Sequence, residues 1–222
     1  MPIEPSGLSQ ARWGLSASPE QLDASAAVRE LASALVIHQG DPETLADVAA
    51  SARRLAERVR TGARRDRNHR MRALGDDEMD SSEGIPALIE RPVGGPANPT
   101  AAPFRARRDG EDAVIAEVVF DPMFQGGSGR VHGGIVAGVF DDITGHLTTL
   151  LRVPAVTGRL TVTFRSPTPV SVPITLRAGL KKWHGKRITI TAEARHGDVV
   201  TATAEALFVV VDKERFAQHV DS

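Results

Sequence analysis

The sequence predicts an α+β protein in which an antiparallel sheet wraps around a central helix, and three features lead to that expectation. Residues 114–120, 157–164, 173–183, 186–196 and 199–211 alternate apolar and polar side chains and are rich in β-branched types, as half-buried strands are. The turns at 184–185 and 196–198 between the last three are so short that consecutive strands must run antiparallel. A single helical pattern, 132–151, interrupts the series after its first strand. Ile135, Val139, Ile143 and Leu147 fall on one face of it, and Val136, Phe140 and Leu150 widen that face. One strand, a mostly apolar helix and four more strands leave the sheet to close on the helix.

Composition bounds the chemistry. The 222 residues are 41% hydrophobic and 25% charged, ordinary proportions for a globular chain with a sizeable core. A formal net charge of −1 gives no global attraction to nucleic acid or to an anionic membrane. With no cysteine, disulfides, thiolate nucleophiles, cysteine-ligated zinc and iron–sulfur clusters are excluded. The first residues lack a cationic start followed by an apolar run, and no segment approaches the length of a membrane span. The expected setting is therefore the cytoplasm.

The N-terminal region reads as helical. Residues 19–37 place apolar side chains at Leu22, Ala26, Leu31 and Leu35. Asp41 is a candidate N-cap with Pro42 behind it, and Leu45, Val48, Ala49, Ala52, Leu55, Ala56 and Val59 then form one apolar stripe. The opposite face and the end of that helix carry Arg53, Arg54, Arg58, Arg60, Arg64, Arg65 and Arg67, read as a solvated face with cations near a helix C-terminus. The acidic stretch 75–84 and the Pro/Gly-rich stretch 91–99 read as linker. A boundary near residue 90 divides the chain into a helical extension with linker, 1–90, and a domain, 91–222.

The chemistry concentrates in residues 126–145, GGSGRVHGGIVAGVFDDITG. A dinucleotide fingerprint fails there, because His132 stands where its third glycine belongs and the alternating helices of a parallel sheet are missing. A metal site from His132, Asp141, Asp142 and His146 would rest on the one-turn spacing of Asp142 and His146, with no further ligand motif, so no metal is expected. A third reading uses every part. Gly133 and Gly134 leave the first-turn N–H groups of the helix unobstructed at the positive end of its dipole, where they can donate to an oxygen gaining negative charge. A tight helix start packed on neighbouring backbone is the bland alternative. Asp141, inside an otherwise apolar helix, is the carboxylate best placed to act as base or nucleophile on a carbonyl held there. His132 and Asp141 would lie roughly 13–14 Å apart along one helix, too far to serve the same carbonyl. Two antiparallel helices across a two-fold axis remove the difficulty, so a homodimer or a dimer of dimers is expected.

These residues bring a resemblance. From 97–104 (ANPTAAPF) through FQGGSGRVHGGIVAGVFDD to AEALFVVVD, a little over half the chain is similar to the hotdog-fold thioesterases of the 4-hydroxybenzoyl-CoA thioesterase superfamily. Within it the chain resembles the branch of the phenylacetate-degradation thioesterase and the mammalian acyl-CoA thioesterases. The resemblance implies that the glycine N–H groups of His132-Gly133-Gly134 bind a thioester carbonyl and that Asp141, by its spacing from that motif rather than Asp142, is general base or nucleophile. It also implies that Thr157 positions water or the carboxylate. Gln125-Gly126 stands where some relatives carry asparagine, and is a weaker candidate for touching substrate or ordering the loop. The implied activity is hydrolysis of an acyl-CoA to acid and CoA without a cofactor. Lys181, Lys182, Lys186, Arg187, Arg159 and Arg165 are available cations for the CoA phosphates, but lysines at strand edges more often serve to resist strand pairing, and none is taken as a site. A non-catalytic acyl-CoA-binding protein and an enoyl-thioester hydratase are the alternatives on the same fold.

Overall fold

The computed structural model describes residues 17–64 and 89–212. Arg65, Arg67 and the acidic stretch 75–84 lie outside the described residues. Two N-terminal helices, α1 (Pro19–Ile37) and α2 (Pro42–Arg60), precede strands β1 (Arg105–Arg108) and β2 (Ala113–Val119). A 3-10 turn (Pro122–Phe124) and a small hairpin, β3 (Gln125–Gly127) with β4 (Arg130–Val131), lead into α3 (Gly133–Leu150). Strands β5 (Ala155–Phe164), β6 (Pro173–His184), β7 (Arg187–His196) and β8 (Val199–Val210) follow.

The large sheet is antiparallel throughout, in the order β1-β2-β6-β7-β8-β5, so β5 crosses to the far edge after α3. Alternation along the strands sends one set of side chains to the concave face. Val114, Val118, Ile174, Leu176, Ile188, Ile190 and Phe208 are buried there, with alanines at 116, 178, 192, 194, 202, 204 and 206. These small residues let the helix approach the sheet closely. Val139, Phe140, Ile143 and Leu147 of α3 fill the space above them and are 0–1% exposed. The sheet wraps the helix as the patterning predicts, because no other element offers α3 a comparable apolar surface.

The two sheet edges are unlike. β1 is four residues of RARR, a short and cationic edge of the kind that resists further pairing. β5 is ten residues long, pairs among the described residues only on its β8 side, and exposes Val156 (37%) and Phe164 (55%). The open edge of this sheet is therefore β5.

The N-terminal helices depart from what periodicity alone implies. α1 docks through polar groups at four-residue spacing. Ser25 donates to the Ala97 carbonyl (3.0 Å), Arg29 donates to the carbonyls of Ala101 (3.0 Å), Pro96 (3.3 Å) and Asn98 (2.9 Å), and Ser33 donates to Asp121 (2.6 Å). Leu31 and Leu35 are left exposed while Leu22 and Ala26 are half-buried, so only part of the apolar series lies on the docked side. Residues 91–99 are not a free tether either. Ile89, Ala97, Ala101 and Ala102 are buried, and the chain folds over α3 with Val93 against Gly138. Asp41 caps α2 as its sequence predicts, accepting from the Thr44 N–H (3.0 Å). Among the described residues no helix is long and apolar enough to cross a membrane.

Because Arg29 donates to three loop carbonyls at once, Arg29→Met should destabilise the full chain by about 1–3 kcal/mol, read as a lowered urea midpoint at unchanged slope.

Candidate active site

The start of α3 is fixed from outside the helix. The Val131 N–H donates to the Thr168 carbonyl and the His132 N–H to the Phe124 carbonyl, both at 2.8 Å. The loop before it turns through Gly129, whose φ of +71° suits glycine. Gln125 orders that loop: its Oε1 accepts from the Gly129 N–H (2.7 Å) and its Nε2 donates to the Pro122 carbonyl (3.1 Å). Gly126 lies where any Cβ would come within 2.8 Å of His132, so the two expected binding residues shape the loop that presents the helix start.

His132 is the N-cap, and its Nδ1 accepts from the Gly134 N–H at 3.0 Å. One of the two candidate donors is thus occupied by the cap. The Gly133 N–H, at the first helical position, has no intrahelical partner and no other hydrogen bond among the described residues. A Cβ at 133 would stand 3.1 Å from the Phe164 ring. Around this point a cleft of about 490 Å³ is lined by Gly126, Arg130, His132, Gly133, Phe164 and Arg165, among others.

Two turns further on, Asp141 is exposed despite its apolar neighbours, because it sits on the edge of α3 that faces β5. The Thr157 hydroxyl donates to Asp141 Oδ1 at 2.8 Å. That bond orients the carboxylate and leaves Oδ2 free of it. One strand therefore touches both ends of the candidate site: β5 meets Asp141 at Thr157 and Gly133 at Phe164. The structure brings Asp141 and Thr157 together, and His132, Gly133 and Gly134 together, but not the two groups within one chain. Of the cations considered, Lys181 is engaged with Glu205 at 2.6 Å on the sheet surface.

Comparison with solved structures now discriminates. A crystal structure of a thioesterase superfamily protein superposes with a TM-score of 0.72 at 27% identity, covering 87% of this chain and 95% of that one. The chain has the hotdog fold of the thioesterase superfamily. By sequence it is 31% identical over 101 residues to acyl-coenzyme A thioesterase THEM4 of Mus musculus, spanning 42% of this chain and 44% of that protein. The THEM4 of Xenopus laevis is 30% identical over 90 residues, 40% of each chain. The matched region is thus less than half the length of these relatives. No protein-family model matches the chain.

A buried polar cluster behind the site was invisible in the sequence. Asp142 is turned away from solvent, toward Arg91. Its Oδ1 accepts from Arg91 Nε at 2.7 Å, and both side chains are nearly covered, 13% and 14% exposed. Burial pushes the Asp142 carboxyl above the usual carboxylate range, and the Arg91 charge and hydrogen bond oppose that shift. The Arg91 guanidinium also lies over the Phe104 ring, 5.9 Å from its centroid, and Phe104 packs on His146 with ring centroids 5.7 Å apart. Gly94 is required at this point, since a Cβ would collide with Asp142 Oδ2 and with the Phe104 ring. His146 Nδ1 lies 2.8 Å from the Asp142 carbonyl, which can only accept, so Nδ1 carries the proton. Among the described residues no group of three or more His, Cys, Asp or Glu side chains could hold a metal ion. The cluster holds the segment that leaves the N-terminal extension against the helix of the hotdog domain, one residue beyond Asp141. Arg91 and Asp142 are 51 positions apart, and only the fold pairs them.

Two outcomes follow from this cluster. Burial, helped by the Arg91 charge, holds the His146 imidazole far below its ordinary 6.5, at about 3. The unfolded chain takes up a proton near 6.5 while the fold resists it, so stability is present above that pH and is lost as pH falls toward 3. The slope is about 1.4 kcal/mol per pH unit for one proton. Urea unfolding between pH 7 and 4 should show that slope in the wild type, and His146→Gln should flatten it by one proton. Arg91→Met removes the counter-ion of a buried carboxylate and should cost about 3–5 kcal/mol, whereas adding Asp142→Leu to it should recover most of the loss in the same melts.

Proposed function

We propose that the protein hydrolyses acyl-CoA thioesters, at a site completed by two copies of the chain. The observation that carries this reading is the position of β5, a sheet edge with no second strand beside it among the described residues, touching Asp141 through Thr157 at one end and Gly133 through Phe164 at the other. Antiparallel pairing of β5 with the same strand of a second copy sets the Thr157 end of each against the Phe164 end of the other. Asp141 of one protomer then faces the Gly133 N–H of its partner, the juxtaposition that one helix cannot provide. The mouse and frog relatives named as acyl-coenzyme A thioesterases support the substrate class.

The carbonyl oxygen of the thioester accepts from the Gly133 N–H at the helix N-terminus, where the developing negative charge is stabilised. Asp141, its Oδ1 held by Thr157, takes a proton from water through Oδ2 as the water oxygen attacks the carbonyl carbon. Collapse of the tetrahedral intermediate breaks the carbon–sulfur bond. The proton on Asp141 passes to the departing thiolate, so carboxylic acid and CoA leave and the carboxylate is restored. Attack by Asp141 itself would instead pass through an anhydride and carry heavy oxygen from labelled water into residue 141. Arg130 and Arg165 line the cleft and supply positive charge for the phosphates of CoA. Acyl-chain preference is a matter for a panel of short, medium, long and aromatic thioesters.

The test uses two inactive variants together. Gly133→Pro removes the donor while keeping a residue tolerated at the first helical position, and His132, with φ −62° and ψ 135°, already has the backbone that precedes proline. Gly133→Pro should lower kcat about 100- to 1,000-fold, in the range of a lost oxyanion donor, and Asp141→Ala should abolish thiol release. Mixed and refolded together, the two should regain up to a quarter of the wild-type rate per chain, since half the dimers are mixed and each mixed dimer holds one intact site. Absence of recovery would overturn the shared site. Acyl-CoA binding without thiol release by the wild type would overturn hydrolysis, and loss of enoyl absorbance without free thiol would replace it with hydration.

A further inference from the structure

Helix α2 has 19 residues and not one of them is buried. Its apolar stripe faces outward, with Leu45 42%, Leu55 51% and Val59 79% exposed. In proteins most helical stability comes from packing of an amphipathic face, and among the described residues nothing buries this one. Among the described residues the stripe is left uncovered, and its own pattern favours one occupant.

The stripe is symmetric about Ala52. Positions 45 and 59, 48 and 56, and 49 and 55 are equidistant from it along the helix. Placed antiparallel against an identical helix with a two-fold axis at Ala52, Leu45 meets Val59, Val48 meets Ala56, and Ala49 meets Leu55. Two of the three pairs set a large side chain against a small one, and Ala52 on the axis lets the backbones approach to about 8 Å. Contact would run along most of a helix about 28 Å long.

Charge selects the same arrangement. The first half of α2, with its cap, carries Asp41, Glu43 and Asp47 and no cation, whereas the second half carries Arg53, Arg54, Arg58 and Arg60 against Glu57 alone. An antiparallel mate puts the acidic half of each helix beside the arginines of the other and opposes the two helix dipoles. A parallel mate would set arginine against arginine.

We propose that α2 is an interface between two copies of this chain, paired antiparallel about a two-fold axis at Ala52. This contact is separate from the β5 edge and does not rest on the thioesterase reading.

The absence of cysteine in the sequence makes the test clean. Ala52→Cys introduces a single thiol on the proposed axis, and Ala50→Cys places one on the opposite side of the helix. Treated in solution with a short bis-maleimide, Ala52→Cys should give a covalent dimer as the main product, at least ten times faster than Ala50→Cys. Adding Leu55→Asp, or Glu43→Arg with Asp47→Arg, should slow the reaction several-fold, while circular dichroism confirms that the helix content is kept. Equal cross-linking at positions 50 and 52, or none at either, would overturn the proposal, the latter meaning that another surface covers α2. Cross-linking untouched by Leu55→Asp and by the charge reversals would overturn it too. Asp141→Ala should leave cross-linking unchanged, so the fate of the catalytic reading is scored separately.

Discussion

Burial of α3 in the concave face of the sheet is the constraint on which the rest depends. Once Val139, Phe140, Ile143 and Leu147 are packed against the alanine-lined interior, the helix can neither rotate nor slide. Its exposed margin then runs beside β5, with Asp141 at Thr157 and the helix start at Phe164. A donor and a carboxylate on the same helix are thereby held at opposite ends of one strand. The proposed chemistry answers that geometry with a second copy, because rigid packing cannot close the gap from within.

A second layer ties the N-terminal extension to this helix by polar contacts rather than by a larger core. α1 holds the loop 96–101 through Arg29 and Ser25, and the stretch leading into that loop holds α3 through Arg91 and Asp142. Burying that ion pair costs desolvation, which shows in the raised carboxyl of Asp142. Such a pair adds little net stability over a well-packed apolar pair, but losing one partner strands a buried charge, so Arg91 and Asp142 must meet wherever the chain folds. Their meeting sets the placement of the extension on the helix that carries Asp141. His146, neutral and wedged against Phe104, closes the cluster from the far side.

Much of this was legible beforehand, and the exceptions share a cause. The five main strands, the span of α3, the cap at Asp41 and the Gly-rich helix start all depend on neighbours within a few residues, and they read correctly from alternation, helical spacing and capping chemistry. β1 escaped because RARR has no alternation of apolar and polar side chains. The stretch 91–99 read as linker because Pro and Gly signal a turning backbone without saying whether it turns in solvent or against a helix. α1 shows the same limit, since its spacing marks Leu31 and Leu35, which stay exposed, and gives no sign that Ser25, Arg29 and Ser33 make the docking contacts.

The sequence by itself determined the layers of the fold and the residues grouped at the start and in the middle of α3, since both follow from local periodicity and from a contiguous motif. Only the tertiary structure decided that Thr157 reaches Asp141, that His132 takes the Gly134 N–H and leaves Gly133, that Arg91 neutralises Asp142, and that β5 is the open edge. Three of these four join segments distant in the chain or depend on which strand ends a sheet, and the fourth depends on a single rotamer. No spacing in the sequence encodes either.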